Sequence, residues 1–523
     1  MEQIILEKTY LGMEIGSTRI KAILMDETYT PIASGGFAWE NKFENGYWTY
    51  ALEDVQKGVR ACFADLSQDV MKKFGIPLTT VGAMGISGMM HGYLVFDKDD
   101  QLLVPFRTWR NTTTAPAASE LTALFGFNIP QRWSIAHIYQ AILNQEPHVP
   151  QIAHLTTVSG YIHYLLTGNR VVGMCEASGM FPVVNGGYDP KKIEDFNRLV
   201  KSKGYNLSIE EILPAPQMAG EKLSVLSEEG AKWLDPTGTF KPGVPICPPE
   251  GDGGTGMIAT NTVLPGHGNI SAGTSVFSML VLDESMKDVY EEIDVVTTPD
   301  GSPVAMVHSN NGCSELDGCV RLFEEFLALL GQSMGKSELY GLLYKNAMTG
   351  DSDAGGLVAY NCLAAEPVTK ISCGRPMSFR IQNSHMGLAN LFRAQLYAVA
   401  APIRVGNDIL TKGKKDAIEK FTAHGGLFKV EGVAQQVIAD ALQTSVTVME
   451  TAGEGGAWGM ALLAAYMMKK DDLSLGDWLE SSVFCTMKSK TVLPNDDGVK
   501  GFDIFMQRYM NGADAINHLE NVK

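Results

Sequence analysis

Along residues 12–25 apolar side chains form two short arms around Gly16-Ser17-Thr18, and residues 268–282 repeat the arrangement around Gly273-Thr274-Ser275. In both copies seven residues separate the last hydroxyl from an acidic pair, Asp26-Glu27 in one and Asp283-Glu284 in the other. Ile20, Ile23 and Met25 stand in the first copy where Phe277, Leu280 and Leu282 stand in the second. Strand-like arms around small residues predict a β-hairpin at each place. The copies lie 257 positions apart, far beyond the roughly 20 to 50 residues of a solenoid repeat. They predict two related domains, 1–258 and 259–523.

Between the hairpins, residues 51–75 place apolar side chains at helical spacing, and TTVGAMGIS after them reads as a buried strand. Strand–helix alternation of this kind marks an α/β unit. Residues 116–170 are expected to be largely helical. Pro and Gly concentrate in 235–256, where a boundary, a turn or a ligand-facing loop is expected. Near the far end Val433, Val437, Ile438, Ala441 and Leu442 recur at helical spacing, SVTVME predicts a strand, and a Gly-rich stretch then runs into the apolar GMALLAAYMM. The junctions at 425–426 and 453–456 are places where backbone amides at a helix start can meet a nucleotide.

Composition narrows the function classes. The chain has 523 residues, 45% of them hydrophobic and 19% charged, as in an ordinary globular protein. A net charge of −17 argues against a nucleic-acid partner, which needs a basic face to release counterions. The N-terminal MEQIILEKTYLG lacks the basic region and cleavage site of a signal peptide, and the longest apolar run is about half of the roughly 20 residues a membrane helix needs. Eight scattered cysteines include no CxxC pair. A cytoplasmic protein with free thiols and no membrane span is therefore expected.

Gly lets the backbone curl until several N–H groups converge, and Ser and Thr add donors, so the two hairpin tips are candidate phosphate cradles. A bare turn has the same composition, and it is the repeat that favours a shared ligand. GDGGTG at 251–256 has the spacing of a dinucleotide fingerprint, but Pro248 and Pro249 precede it where a strand should. It reads instead as a loop that presents Asp252 among glycines, the alternative being a surface turn. His91 in GMMHG ends the buried strand as either a ligand contact or a core histidine, and Trp109-Arg110-Asn111 offers polar planes that suit a sugar or simple packing. GxxxxGK[ST], HExxH and GxSxG are all missing.

Taken in order, EIGSTRIK (14–21), GMMHG (88–92), TWRN (108–111), EGDGGTG (250–256), SAGTS (271–275), AHGGLFK (423–429) and EGGAWGMALLAA (454–465) resemble the FGGY family of carbohydrate kinases over essentially the whole chain. The resemblance implies an α/β fold of two actin-, hexokinase- and Hsp70-like (RNase H-like) domains around an ATP cleft. It makes Asp252 the base that accepts the proton of the sugar hydroxyl. Gly16, Ser17, Thr18 and Lys21, with Gly273, Thr274 and Ser275, would meet the ATP phosphates. Gly425, Gly426, Gly453, Gly455 and Gly456 would form the nucleotide pocket. Met90, His91, Trp109, Arg110, Asn111 and Gly253 would face the sugar, with Asp317 as a further candidate.

Three positions depart from the family pattern. Glu14 replaces the usual Asp that helps hold Mg²⁺, Trp109-Arg110-Asn111 stands where xylulokinases have Trp-Asn-Asp, and Gly253 replaces an amide. The expected activity is transfer of a phosphoryl group to a ketopentose such as D-xylulose or L-ribulose, with a homodimer one arrangement open to the chain. A non-catalytic, chaperone-like ATPase of the same fold and an NAD-dependent dehydrogenase are the competing readings.

Overall fold

The computed structural model describes residues 4–222, 224–412, 418–450, 455–469 and 472–519. Two seven-stranded mixed sheets organise it. In the first, Tyr10–Ile15 runs antiparallel to Arg19–Met25 and parallel to Ala83–Gly88, and Pro31–Ala38 extends the hairpin side. In the second, His267–Ala272 runs antiparallel to Val276–Val281 and parallel to Lys420–His424, and Pro303–Ser309 extends the hairpin side. The repeat seen in the sequence is thus a repeated four-strand unit. The two-domain α/β architecture expected above is the one observed.

The two hairpins differ at their tips. Ile15 pairs with Ile20 around a four-residue tip, whereas Ala272 pairs with Val276 around three residues. One residue fewer shifts the second arm by one position, and in a strand that turns every side chain to the opposite face. The equivalence of Ile20, Ile23 and Met25 with Phe277, Leu280 and Leu282 is therefore corrected. Ile23 and Met25 face the middle of the molecule, as Met279 and Val281 do, while Leu280 and Leu282 pack on the outer face of the second sheet.

Three apolar layers follow. One lies outside the first sheet under the helix Leu52–Phe74, one outside the second sheet, and one between the sheets. The helices Asp252–Ala259 and Gly455–Lys469 fill the middle layer. They cross closely because glycine leaves room: a Cβ on Gly459 would sit 2.0 Å from the Thr255 carbonyl, and one on Gly12 would sit 2.0 Å from that of Ala457. The later helix therefore packs on the first sheet, where Trp458 Nε1 donates to the Tyr29 carbonyl. Protein covers it on nearly every side, which is why it is apolar all round.

Two local expectations change. Residues 116–170 hold three α-helices, Ala115–Phe125, Ser134–Leu143 and Val158–Thr167, and one 3-10 turn at Val149–Gln151, interrupted by the strand His154–Thr156 that pairs with Leu94–Phe96. Left-handed Gly126 ends the first helix. GDGGTG is not a loop. After the two prolines the chain pairs again, Glu250 with Ser87 and Gly251 with Gly88, and turns at once into the helix at Asp252. The helix Val433–Leu442 and the strand Val446–Met449 lie where periodicity places them.

Candidate active site

Asp252 projects from the first position of its helix, at the corner where the strand Glu250–Gly251 ends. Its Oδ1 accepts hydrogen bonds from the backbone N–H of Gly253 at 3.0 Å and of Met90 at 3.3 Å. The carboxylate is open to solvent, yet protein crowds it from both halves of the chain, and this loss of surrounding water pushes its pKa up to about 6. The glycines of the motif accommodate protein as much as ligand. A Cβ on Gly253 would meet Met90 Sδ at 3.0 Å, and one on Gly254 would meet Cys175.

Glu14 comes to the same place from the first hairpin. Crowding pushes its pKa up to about 7, the nearby Asp252 charge adds to the rise, and Lys21 together with a backbone hydrogen bond from Ala457 opposes it. Lys21 lies directly across the hairpin from Glu14. On the other side begins the helix Gly455–Lys469, and a Cβ on Gly456 would lie 2.6 Å from Glu14 Oε1. Gly455 and Gly456 thus border the carboxylate, while Gly453 falls outside the described residues.

Different neighbours brace the two tips. At the first, Trp39 Nε1 donates to the Gly16 carbonyl at 2.8 Å, Tyr50 Oη to the Ser17 carbonyl, and Trp109 Nε1 to Ser17 Oγ at 3.2 Å. Backbone at 18 and 39 is bonded as well. At the second, the amides of Gly312 and Cys313 donate to the carbonyls of Thr274 and Gly273, each at 2.8 Å. Gly425, at φ 105°, passes so near that a Cβ would meet the Ala272 carbonyl at 2.3 Å. Around the α-carbons of Gly273 and Gly426 the space is open, leaving a ligand room to approach the backbone.

The sugar-facing set divides. Met90 stays beside Asp252 and its helix; the next residue, His91, takes a left-handed backbone, φ 68°, and its Nδ1 lies 3.0 Å from the Gly179 carbonyl. A carbonyl only accepts, so Nδ1 carries the hydrogen, and burial lowers the ring pKa to about 3, which leaves Nε2 as an acceptor. The trio at 109–111 is tied to the first hairpin and its support. Trp109 serves the first tip, and Arg110 lies over the Trp48 ring at 3.9 Å and donates to Asn41. Asn111 commits its amide to the backbone of Trp48 and Thr108. Asp317, on the helix Ser314–Leu329, accepts from Tyr340 Oη at 2.7 Å within the second half of the chain.

Sequence reasoning missed the acids behind Asp252. Glu250 is buried and accepts from the amides of Glu176, Gly251 and Cys175 at 3.0, 3.3 and 3.4 Å; burial pushes its pKa up to about 8. Glu176, also buried, lies against Gly251, and burial with the Glu250 and Asp252 charges raises its pKa well above the usual range. Glu250 stands two residues from Asp252, a signal that was available. Glu176 is brought in only by the fold. Ser87 Oγ and Thr255 Oγ1, 2.9 Å apart, tie the central strand to the same helix. Among the described residues no group of three or more His, Cys, Asp or Glu side chains is gathered to hold a metal ion.

Comparison with known proteins bears on this arrangement. The model of the FGGY family of carbohydrate kinases, N-terminal domain, matches residues 9–258, and that of the C-terminal domain matches residues 268–468. A xylulose kinase of Haemophilus influenzae is 23% identical, covering 96% of this chain and 98% of its own. In structure the chain is similar to a xylulose kinase from Rhodospirillum rubrum (TM-score 0.79, 19% identity, 98% and 99% covered). It is equally similar to a gluconate kinase from Lactobacillus acidophilus (TM-score 0.79, 17% identity, 98% and 99% covered). With both domain models matched in order, one over each of the two repeated sheets, the chain belongs to the FGGY family of carbohydrate kinases, enzymes that phosphorylate sugars with ATP as donor.

Proposed function

We propose that the chain phosphorylates a hydroxyl of a ketopentose, of the D-xylulose or L-ribulose type, with Asp252 as base. The observation that carries this reading is that Asp252, with the Met90 amide on its carboxylate, lies near Glu14 of the first hairpin, across from Lys21. This supports a proton acceptor set beside a charged phosphate loop. With a pKa near 6, Asp252 is largely ionised at neutral pH and can take the hydroxyl proton as the oxygen attacks. Its two backbone hydrogen bonds aim one oxygen and leave the other to the substrate. His91 Nε2 accepts from a second sugar hydroxyl.

Open space at Gly273 and Gly426 fits a polyphosphate lying along the backbone. Mg²⁺ is commonly held by one or two carboxylates plus substrate phosphates, so the single Glu14 beside Gly455 and Gly456 fits it. When bound, the ion would neutralise phosphate charge. Lys21 does part of that work from the protein itself. Trp109, Arg110 and Asn111 act on the first loop and on its supporting segment, and they influence the sugar through those. We place the enzyme in the cytoplasm, where ATP is supplied; no described helix is long and apolar enough to cross a membrane.

The test is an ADP-release screen over ketopentoses, pentitols, gluconate and glycerol, with and without Mg²⁺. A ketopentose should give the highest kcat/KM. Preference for gluconate or glycerol would overturn the substrate class, and full turnover without a divalent cation would remove the role of Glu14.

A further inference from the structure

The second hairpin tip is held by backbone, and that backbone is itself held by a knot of buried polar side chains remote from Asp252. The strand Pro303–Ser309 leads into residues 310–313, whose Gly312 and Cys313 amides fasten the carbonyls of Thr274 and Gly273. Asn361 Nδ2 donates to the Asn311 and Gly312 carbonyls at 3.0 and 2.8 Å. Asn311 in turn donates to Glu366 Oε2 at 3.0 Å, and Ser309 Oγ donates to the same oxygen at 2.7 Å. Asn361, Asn311, Ser309 and Glu366 are all buried, Glu366 completely. The bonds form an unbroken path from one carboxylate oxygen to the tip. Gly312 has no slack, for a Cβ there would sit 2.3 Å from the Gly273 carbonyl.

A carboxylate is expensive to bury, and apolar packing could close this corner without one. What the carboxylate supplies is direction: one oxygen fixes two donors and so sets how the 310–313 segment presents its amides. We propose that Glu366 is a positioning residue for phosphoryl transfer, setting the second hairpin tip through Asn311 and Gly312 so that its backbone amides meet the nucleotide phosphates. This rests on the reading of that tip as a phosphate loop. Glu366 touches no reacting atom, and its effect belongs to nucleotide binding rather than to the sugar or to Asp252.

Glu366→Ala removes the acceptor that Ser309 and Asn311 share, leaving them only the carbonyls of Asn311 and Ala364, each at 3.1 Å, and Asn361→Ala frees the carbonyls of Asn311 and Gly312. Each should raise KM for ATP and the calorimetric Kd for ADP by about 10-fold, the effect of losing roughly one to two well-made hydrogen bonds. KM for the sugar should stay within about 2-fold. Glu366→Gln retains one acceptor oxygen and should restore ATP KM to within about 3-fold of the parent. If Glu366→Ala does not accumulate as folded protein, Asn361→Ala and the milder Ser309→Ala carry the test. Equal losses toward sugar and nucleotide, or a fall in stability with both KM values unchanged, would overturn the proposal. Gly273→Val is the control for the underlying reading. If it raises ATP KM while the Glu366 and Asn361 variants do not, the positioning role fails alone; if none of them moves ATP KM, the phosphate reading of the tip fails as well.

Discussion

In the first hairpin Glu14 lies across from Lys21, whereas in the second the equivalent places are held by Ser271 and Phe277. Both hairpins carry the same strand order and a glycine-and-hydroxyl tip. The charge is confined to one of them. Their support differs too: aromatic side chains brace the first tip, Trp39 stacking on Tyr50 at 4.2 Å, while backbone amides brace the second. A duplicated frame thus supplies two similar turns, and later side chains decide which turn handles charge and which only shapes the backbone.

The largest expected effect tests the point that both hairpins serve. Asp252→Asn keeps the shape and removes the proton acceptor, so sugar-dependent turnover should fall by about 10²-fold or more while ATP binding holds. ADP release measured beside nucleotide calorimetry decides it. Turnover within a few-fold of the parent would take Asp252 out of the chemistry, and lost ATP binding would move it to the nucleotide.

The asymmetry itself is tested next by paired variants. Lys21→Met removes the charge from the first hairpin and should raise ATP KM by about 10-fold, the scale of one charge-assisted hydrogen bond. Phe277→Leu, at the equivalent place in the second, should change ATP KM by less than about 2-fold, because it alters only packing in the middle layer. Similar losses in both would show that the hairpins share the charge work after all.

Much of this arrangement was legible in the sequence, and the rest was hidden for identifiable reasons. Periodicity located the helices at 52–74 and 433–442, and the repeated small-residue turn revealed the duplicated sheet. The one-residue slip is hidden in the sequence because polar Lys21 and Ser278 fall in step at the repeat spacing, although the pairing places Lys21 opposite Glu14 and Phe277 opposite Ser271. GDGGTG reads as a loop in the sequence because two prolines precede it, yet the strand resumes after them. For Trp109, Arg110 and Asn111 the resemblance implies a place at the sugar, and the sequence does not show their partners Ser17, Trp48 and Asn41, which lie 63 to 92 residues away in the chain. Glu176 needed the fold, since nothing near it in sequence points to Asp252.

A moderate effect on pH dependence sharpens the role of the charged hairpin. The pKa values of Asp252 and Glu14 are raised to about 6 and about 7, and part of the rise at Glu14 comes from the Asp252 charge. A base must be ionised, so kcat/KM should fall as pH drops below about 6, where an ordinary aspartate would hold to lower pH. Asp252 ionises first, so the repulsion between the two carboxylates falls on Glu14, which is mostly protonated where Asp252 titrates. Glu14→Gln should therefore leave the acidic limb near pH 6 while turnover at limiting Mg²⁺ declines. A limb that moves to lower pH would mean that Glu14 is charged while Asp252 titrates, and normal turnover at limiting Mg²⁺ would end the metal role of Glu14.

The smallest expected effect separates the two kinds of bracing. Tyr50→Phe deletes only the hydroxyl that donates to the Ser17 carbonyl and keeps the ring against Trp39. A single hydrogen bond to a part-buried carbonyl contributes about 1 kcal/mol net, which sets a ceiling of roughly 5-fold on the loss. Trp39 and Trp109 still hold the tip, so ATP KM should rise by about 2- to 3-fold with sugar KM unchanged. Adding Trp109→Phe should increase the loss by more than the sum of the separate effects, because the two groups support the same residue, Ser17, and neither loss is independent of the other. Strict additivity in the double-mutant cycle would mean that the aromatic braces act separately, and the first tip would then be held at independent points rather than as one unit.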